Sequence, residues 1–169
     1  MRWMIAAALA SCAAGAAERN AMETIADKTL VAWVQLANTR QRGGSVLTLD
    51  NQRGGFDGIV FGERAPGKWM AGSDMFRRSQ GPHEQAAYPL ETAGPETRVQ
   101  VAVVYRGTQI ALYRNAGEYA RYETAPPQTF GAGCAVVLGL RHLDAGDRAC
   151  FAGAIEDARI YNVALEAAA

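Results

Sequence analysis

The side chains able to do chemistry are few in this chain and widely spaced. Sugar-cleaving β-sandwiches set two carboxylates across one cleft, commonly on alternate residues of a strand. No Glu-x-Asp-x-Glu or Glu-x-Asp-x-x-Glu spacing is present. Glu156 and Asp157 are adjacent, so on a strand they point to opposite faces, and they read as strand-end charges beside Arg159. His83 lies in a Pro/Gly-rich stretch and His142 just before a turn, and neither has a Gly-x-Ser-x-Gly elbow or a cysteine partner nearby. Catalysis is therefore not expected.

Binding chemistry has more candidates. Trp69, Asp74, Phe76, the pair Arg77-Arg78 and Tyr88 cluster along one stretch. Aromatic faces beside planar cations suit sugars and carboxylates. Trp69 fits a core position as well as a stacking platform, and Arg77-Arg78 fit a solvated loop as well as a site. Trp33, in mid-strand, is expected in the core. Asp144 and Asp147 offer oxygen ligands for calcium, as do Asp50, Asn51 and Asp57. A hard cation needs about six to eight oxygens, and these clusters serve turn geometry equally well. Of the three cysteines, Cys134 and Cys150 are candidates for one disulfide. A symmetric hairpin about Ala145 would set Cys150 opposite residue 140 rather than 134, so a bridge needs an asymmetric loop or pairing across sheets.

The chain that positions these groups has 169 residues, with 17 Lys+Arg against 17 Asp+Glu. Neutral charge leaves no basic footprint, so nucleic acid is not expected as a partner. Hydrophobic residues at 49% exclude a disordered chain, and no long uninterrupted apolar run argues for a transmembrane helix. Residues 1–17 differ from the rest, with eight alanines, a single charge at Arg2 and small residues at Ala14-Gly15-Ala16. They have the layout of a signal peptide, or, through Leu9-Ala10-Ser11-Cys12, of a lipoprotein leader anchored at Cys12. An alanine-rich helix is the alternative. A leader implies export to the periplasm, the cell surface or the medium. Residues 18–28 read as a linker, 29–165 as one domain and 166–169 as a tail.

That domain reads as short strands. Residues 29–36, 45–49, 56–61, 68–71, 98–105, 108–114, 134–140 and 150–161 carry β-branched and aromatic residues between Gly-rich turns. Val99, Val101, Val103 and Tyr105 share one face and should be core, with Ile110 and Leu112 beside them. Residues 73–97 lack strand character and form a long irregular loop, a kind of segment that is often functional. The pattern indicates an all-β, antiparallel two-sheet sandwich.

Val101-Ala102-Val103-Val104-Tyr105-Arg106-Gly107-Thr108 followed by Leu112-Tyr113-Arg114-Asn115 resembles a stretch of laminin-G-like, concanavalin A-like jelly-roll domains. So do Thr29-Leu30-Val31-Ala32-Trp33-Val34 and the run from Phe151 through Gly153, Ile155, Ile160, Tyr161 and Asn162 to Leu165, in the family's order. Further segments, including Gly139-Leu140-Arg141-His142, are similar to a subgroup in large exported bacterial proteins. Asn115-Ala116-Gly117 holds one residue more than the family's tight turn, so a bulged turn is expected there. Such domains carry more chain before the tryptophan strand. Either the jelly roll is shortened, with its N-terminal strands missing and an apolar edge left uncovered, or the chain is part of a longer domain and the leader-like start is fortuitous. The resemblance implies a jelly-roll recognition module for a glycan or a surface protein. Its rival is a structural domain that packs against neighbouring domains of a larger exported protein.

Overall fold

The structure is a computed structural model and describes residues 24–146 and 149–166. Nine strands run in chain order: β1 (Lys28–Leu36), β2 (Gly44–Asp50), β3 (Phe56–Phe61), β4 (Trp69–Ser73), β5 (Val99–Arg106), β6 (Gln109–Arg114), β7 (Gly117–Glu123), β8 (Ala135–Leu138) and β9 (Gly153–Tyr161). They form a five-stranded sheet in the order β7-β6-β5-β1-β9 and a four-stranded sheet in the order β4-β3-β2-β8. Every pairing between these strands is antiparallel, and the two sheets stack as a β-sandwich.

Strand alternation builds the core. From β1, Leu30, Ala32, Val34 and Leu36 point between the sheets, and from β5 the expected set Val99, Val101, Val103 and Tyr105 does the same. Ile110 and Leu112 of β6 join them, and Leu47, Leu49, Ile59, Phe61, Trp69 and Ala71 close the layer from the other sheet.

Three elements depart from expectation. β7 was not foreseen: it carries three charged residues among seven, and only Tyr119 is fully buried against the core. The turn before it is a two-residue connection with positive φ at Asn115 (48°) and Ala116 (66°), and the bulge lies one step back in the ladder, between Leu112 and Tyr113. Residues 134–161 do not form a simple hairpin, because β8 pairs with β2 and β9 with β1, in different sheets. Cys150 does sit opposite Leu140, as the spacing indicated.

This arrangement separates the cysteines, and both are free thiols. Cys134 precedes Ala135, which faces Asp50, whereas Cys150 bridges Ser45. Their partners on β2 are thus five residue steps apart, roughly 17 Å at about 3.3 Å per residue, far beyond the ~7 Å that a disulfide spans.

A buried ion cluster joins the two sheets. Lys28 opens β1, although the sequence placed it in the linker, and its Nζ lies 2.9 Å from the Asp57 carboxylate of β3, with both side chains fully buried. The ammonium also donates to the carbonyls of Ala26 and Gln128 and lies over the rings of Tyr105 and Phe130. Arg78, from the long loop, donates from Nε and Nη2 to the other Asp57 oxygen at 3.0 and 2.7 Å and reaches Asp74 at 2.9 Å. Burial pushes the Asp57 carboxyl up and the Lys28 amine down, and their mutual attraction opposes both shifts.

Glu91 is a second tether. Its buried carboxylate takes two hydrogen bonds from Arg114 of β6 (2.7 and 2.8 Å), one from Trp69 Nε1 of β4 (2.8 Å), and the backbone N–H groups of Thr92 and Ala93. The far end of the long loop is thereby pinned to both sheets.

Along β8 and β9 the sandwich is open among the described residues. Each of these strands pairs with one neighbour, β2 and β1 respectively, and Val136 and Leu138 are more than half exposed, at 57% and 55%. Ile155, Ala158 and Ile160 of β9 are only partly covered.

Asp57→Asn leaves buried cations without their counter-charge and is expected to cost about 3–5 kcal/mol in urea unfolding. Adding Lys28→Met to that variant should recover part of the loss, and a purely additive double variant would contradict the coupling. For Glu91, burial works to raise the carboxyl, but the bonds from Arg114, Trp69 and Ala93 outweigh it and hold the group below its ordinary 4.5. Its contribution to stability is therefore complete above that value and lost as pH falls below it. Thermal melts between pH 6 and 3 should show a shallower acid decline for Glu91→Gln than for the wild type.

Candidate functional site

The six residues picked out by chemistry divide into anchors and displayed groups. Trp69 is fully buried, tilted against Phe61 with ring centroids 4.8 Å apart, and is core. Arg78 is buried on Asp57 and Asp74, so it fixes the loop and is not offered to a ligand. Tyr88 meets Tyr119 edge-on at 5.5 Å and donates its hydroxyl to Gln80, while burial pushes its pKa up. Asp74, Phe76 and Arg77 reach the surface together. Arg77 is exposed beside Asp74, and Phe76 lies under the Arg64 guanidinium at 4.4 Å. Met75 and Phe76 both have left-handed backbones, with φ of 48° and 57°, and Met75 is 84% exposed. Non-glycine residues in this region carry a cost of about 1–3 kcal/mol each.

Asp144 joins this end of the molecule. With Asp74, Asp50, Phe56, Met75 and His142 it lines a shallow cleft of about 180 Å³. His142 stacks on Phe56 at 4.9 Å, and its pKa is lowered by burial and by Arg141, against the pull of Asp50 and Asp144. Asp50 accepts the N–H groups of Gln52 and Leu143, which makes it a turn residue. Among the described residues no three His, Cys, Asp or Glu side chains stand together in a way that could hold a metal ion. Asp147 lies outside the described residues, as do Cys12 and the segment 1–17.

The outward face of the five-stranded sheet holds a second concavity that the sequence reading missed. Since Leu30, Ala32, Val34 and Leu36 face the core, the intervening Thr29, Val31, Trp33 and Gln35 face out. Trp33 is thus half-buried on the surface, with the Arg159 guanidinium 4.8 Å from its ring centre, and is not a core residue. In register across the sheet stand Arg121, Ala111, Val104 and Thr29, then Tyr113, Ala102 and Val31, then Gln100 and Trp33. The middle positions are small and apolar and the flanks carry rings and guanidinium groups. The result is a trough of about 210 Å³, floored by Val31, Ala102 and Val104 and walled by Tyr113. Polar groups border it. Arg121 donates to the Tyr113 hydroxyl and to Gln109, and is paired with Glu118. Arg159 is paired with Asp157 at 2.7 Å, the partnership expected for these strand-end charges. The signal was present in the sequence: one face of β1 is wholly apolar, Leu-Ala-Val-Leu, and the other mixed, Thr-Val-Trp-Gln.

The fold recurs in solved structures at low identity, which speaks to architecture alone. The native heptameric SAP-like pentraxin from Limulus polyphemus superposes with a TM-score of 0.56 at 13% identity, over 86% of this chain and 68% of that one. Domain 4 of an extracellular arabinanase from Geobacillus stearothermophilus, in complex with arabinotriose, gives 0.60 at 16% identity, over 85% and 63%. The CBM40 domain of the Ruminococcus gnavus IT-sialidase gives 0.56 at 16% identity, over 84% and 79%. No curated protein matches the sequence. Residues 13–169 match the laminin-G-type family model described as the concanavalin A-like lectin/glucanases superfamily, and with this sandwich already in place the chain belongs to that family.

Proposed function

We propose that this domain is an exported, non-catalytic module that binds a glycan in the trough on the five-stranded sheet. The observation that carries the reading is the set of outward-facing positions in β1, β5 and β6. Small apolar side chains form a floor beside the Tyr113 ring, Trp33 stands beside Gln100 in register, and the Gln100 amide and the Thr29 and Tyr113 hydroxyls supply polar groups. Sugars present an apolar ring face and a hydroxyl edge, and this layout meets both. Glycoside hydrolysis needs two carboxylates across the bond, and among the described residues Glu166 is the single acid lining the trough, tied to Arg106. Solved relatives in fold include an arabinanase domain bound to arabinotriose and a sialidase CBM40 bound to alpha2,3 sialyllactose, which supports the ligand class. Among the described residues no helix is long and apolar enough to cross a membrane.

The open β8–β9 side favours a second reading, a domain that packs against a neighbour in a larger exported protein. Exposed Val136 and Leu138 are its basis.

On a glycan array and in calorimetry, Tyr113→Ala and Trp33→Ala should each weaken binding about tenfold, the scale of one aromatic contact. Loss of binding with Phe76→Ala or Arg77→Ala instead, with both trough variants unaffected, would move the site to the loop-end cleft. Solubility gained by Val136→Ser/Leu138→Ser, with no glycan bound by any variant, would favour the packing reading.

A further inference from the structure

We infer that the trough receives the end of a glycan chain and not its interior, an inference that rests on the glycan reading above. After β9 the chain turns back across the outer face, and residues 163–166 are fastened there at two points. The Thr29 hydroxyl donates to the Val163 carbonyl and accepts the Leu165 N–H, each at 2.9 Å. Arg106 donates to the Ala164 carbonyl at 3.1 Å and pairs with Glu166 at 2.7 Å. These contacts set Leu165 and Glu166 across the sheet as a wall.

The wall divides what is otherwise one groove. On one side is the trough. On the other is a smaller hollow of about 100 Å³ lined by Arg106, Gln109, Ala111 and Arg121. Val104, Tyr113, Leu165 and Glu166 line both. Without residues 163–166, the outward faces of β5 and β6 would run as a continuous path from Gln100 to Arg106. With them, the trough stops at Leu165 and is open at Gln100 and the exposed turn residue Ala116. A chain lying along the strands can enter from the open end and advance until its last ring meets Leu165. A chain that continues in both directions meets the wall. At about 210 Å³ the trough is smaller than the ~300–1,000 Å³ of sites that enclose a small molecule, which fits a single terminal ring seated on Tyr113.

The wall is a separable part. Thr29→Val removes both of its hydroxyl bonds at nearly constant volume, and deletion of residues 163–169 removes the segment itself. Calorimetric titration of size-fractionated arabinan, β-glucan and sialylated oligosaccharide ladders reads the stoichiometry directly. For the wild type, domains bound per chain should stay constant as chain length doubles, because ends are counted. For the deletion variant the number should rise with length, with Thr29→Val serving the same purpose if the deletion does not fold. A wild-type stoichiometry that doubles with chain length overturns the chain-end inference while leaving glycan binding intact. Binding by none of the ladders overturns the glycan reading and this inference together.

Discussion

The Asp57 carboxylate holds the architecture in register. It sits between sheets in an apolar interior, where an isolated charge would be prohibitive. It is tolerated because Lys28 arrives from one sheet and Arg78 from the loop, and each in turn requires Asp57. The geometry leaves little freedom. Slipping β3 by one residue against its neighbours β2 and β4 would turn Asp57 toward the outer face and strand two cations. The cluster contributes specificity of packing more than net stability, since hydrophobic replacements of such clusters often fold as well or better. Through Arg78 it also fixes Asp74, so the left-handed Met75 and Phe76 are displayed from a rigid base.

The two faces of the five-stranded sheet then take separate tasks. Its inner face is hydrocarbon apart from Lys28 at the start of β1 and supplies the core. Its outer face keeps a stripe of the same small apolar residues but surrounds them with rings, amides and paired charges. Each guanidinium at the rim already has a carboxylate partner, Arg121 with Glu118, Arg159 with Asp157 and Arg106 with Glu166. The rim is therefore ordered but electrically neutral, in line with the balanced charge of the whole chain. Recognition on such a surface depends on ring stacking and directional hydrogen bonds, with little long-range steering.

Much of the fold was legible because strand alternation is a local property. Val99, Val101, Val103 and Tyr105 sit inside as their period required, and Trp69 took the core position open to it. The parts that were not legible depend on distant partners. Lys28 and Asp57 look like linker and turn residues until the sheets bring them together. Glu91 is an unremarkable loop acid until Arg114 and Trp69 close on it. Trp33 was misassigned because residue type was weighed above parity, although its neighbours Leu30, Ala32, Val34 and Leu36 already marked the inner face. β7 was missed because an edge strand with one face in solvent keeps its charges, and its single buried anchor, Tyr119, gives little pattern. The candidate site was least legible of all: Asp74, Phe76 and Arg77 do reach the surface together, but the trough is assembled from β1, the β5–β6 hairpin and residues 165–166, which are remote from one another in sequence.

The open side of the sandwich makes resistance to opening uneven across the molecule. β1 is held by β5 on one edge and β9 on the other, with the ion cluster at its start, so it can be exposed only when the whole domain unfolds. β8 is four residues long, has β2 as its one neighbour among the described residues, and leaves Val136 and Leu138 exposed. Its backbone hydrogen bonds can break in a local fluctuation that leaves the core intact. The trough lies on the opposite sheet, across strands anchored to β1, and is insulated from that motion. The molecule thus combines a rigid face with a yielding flank.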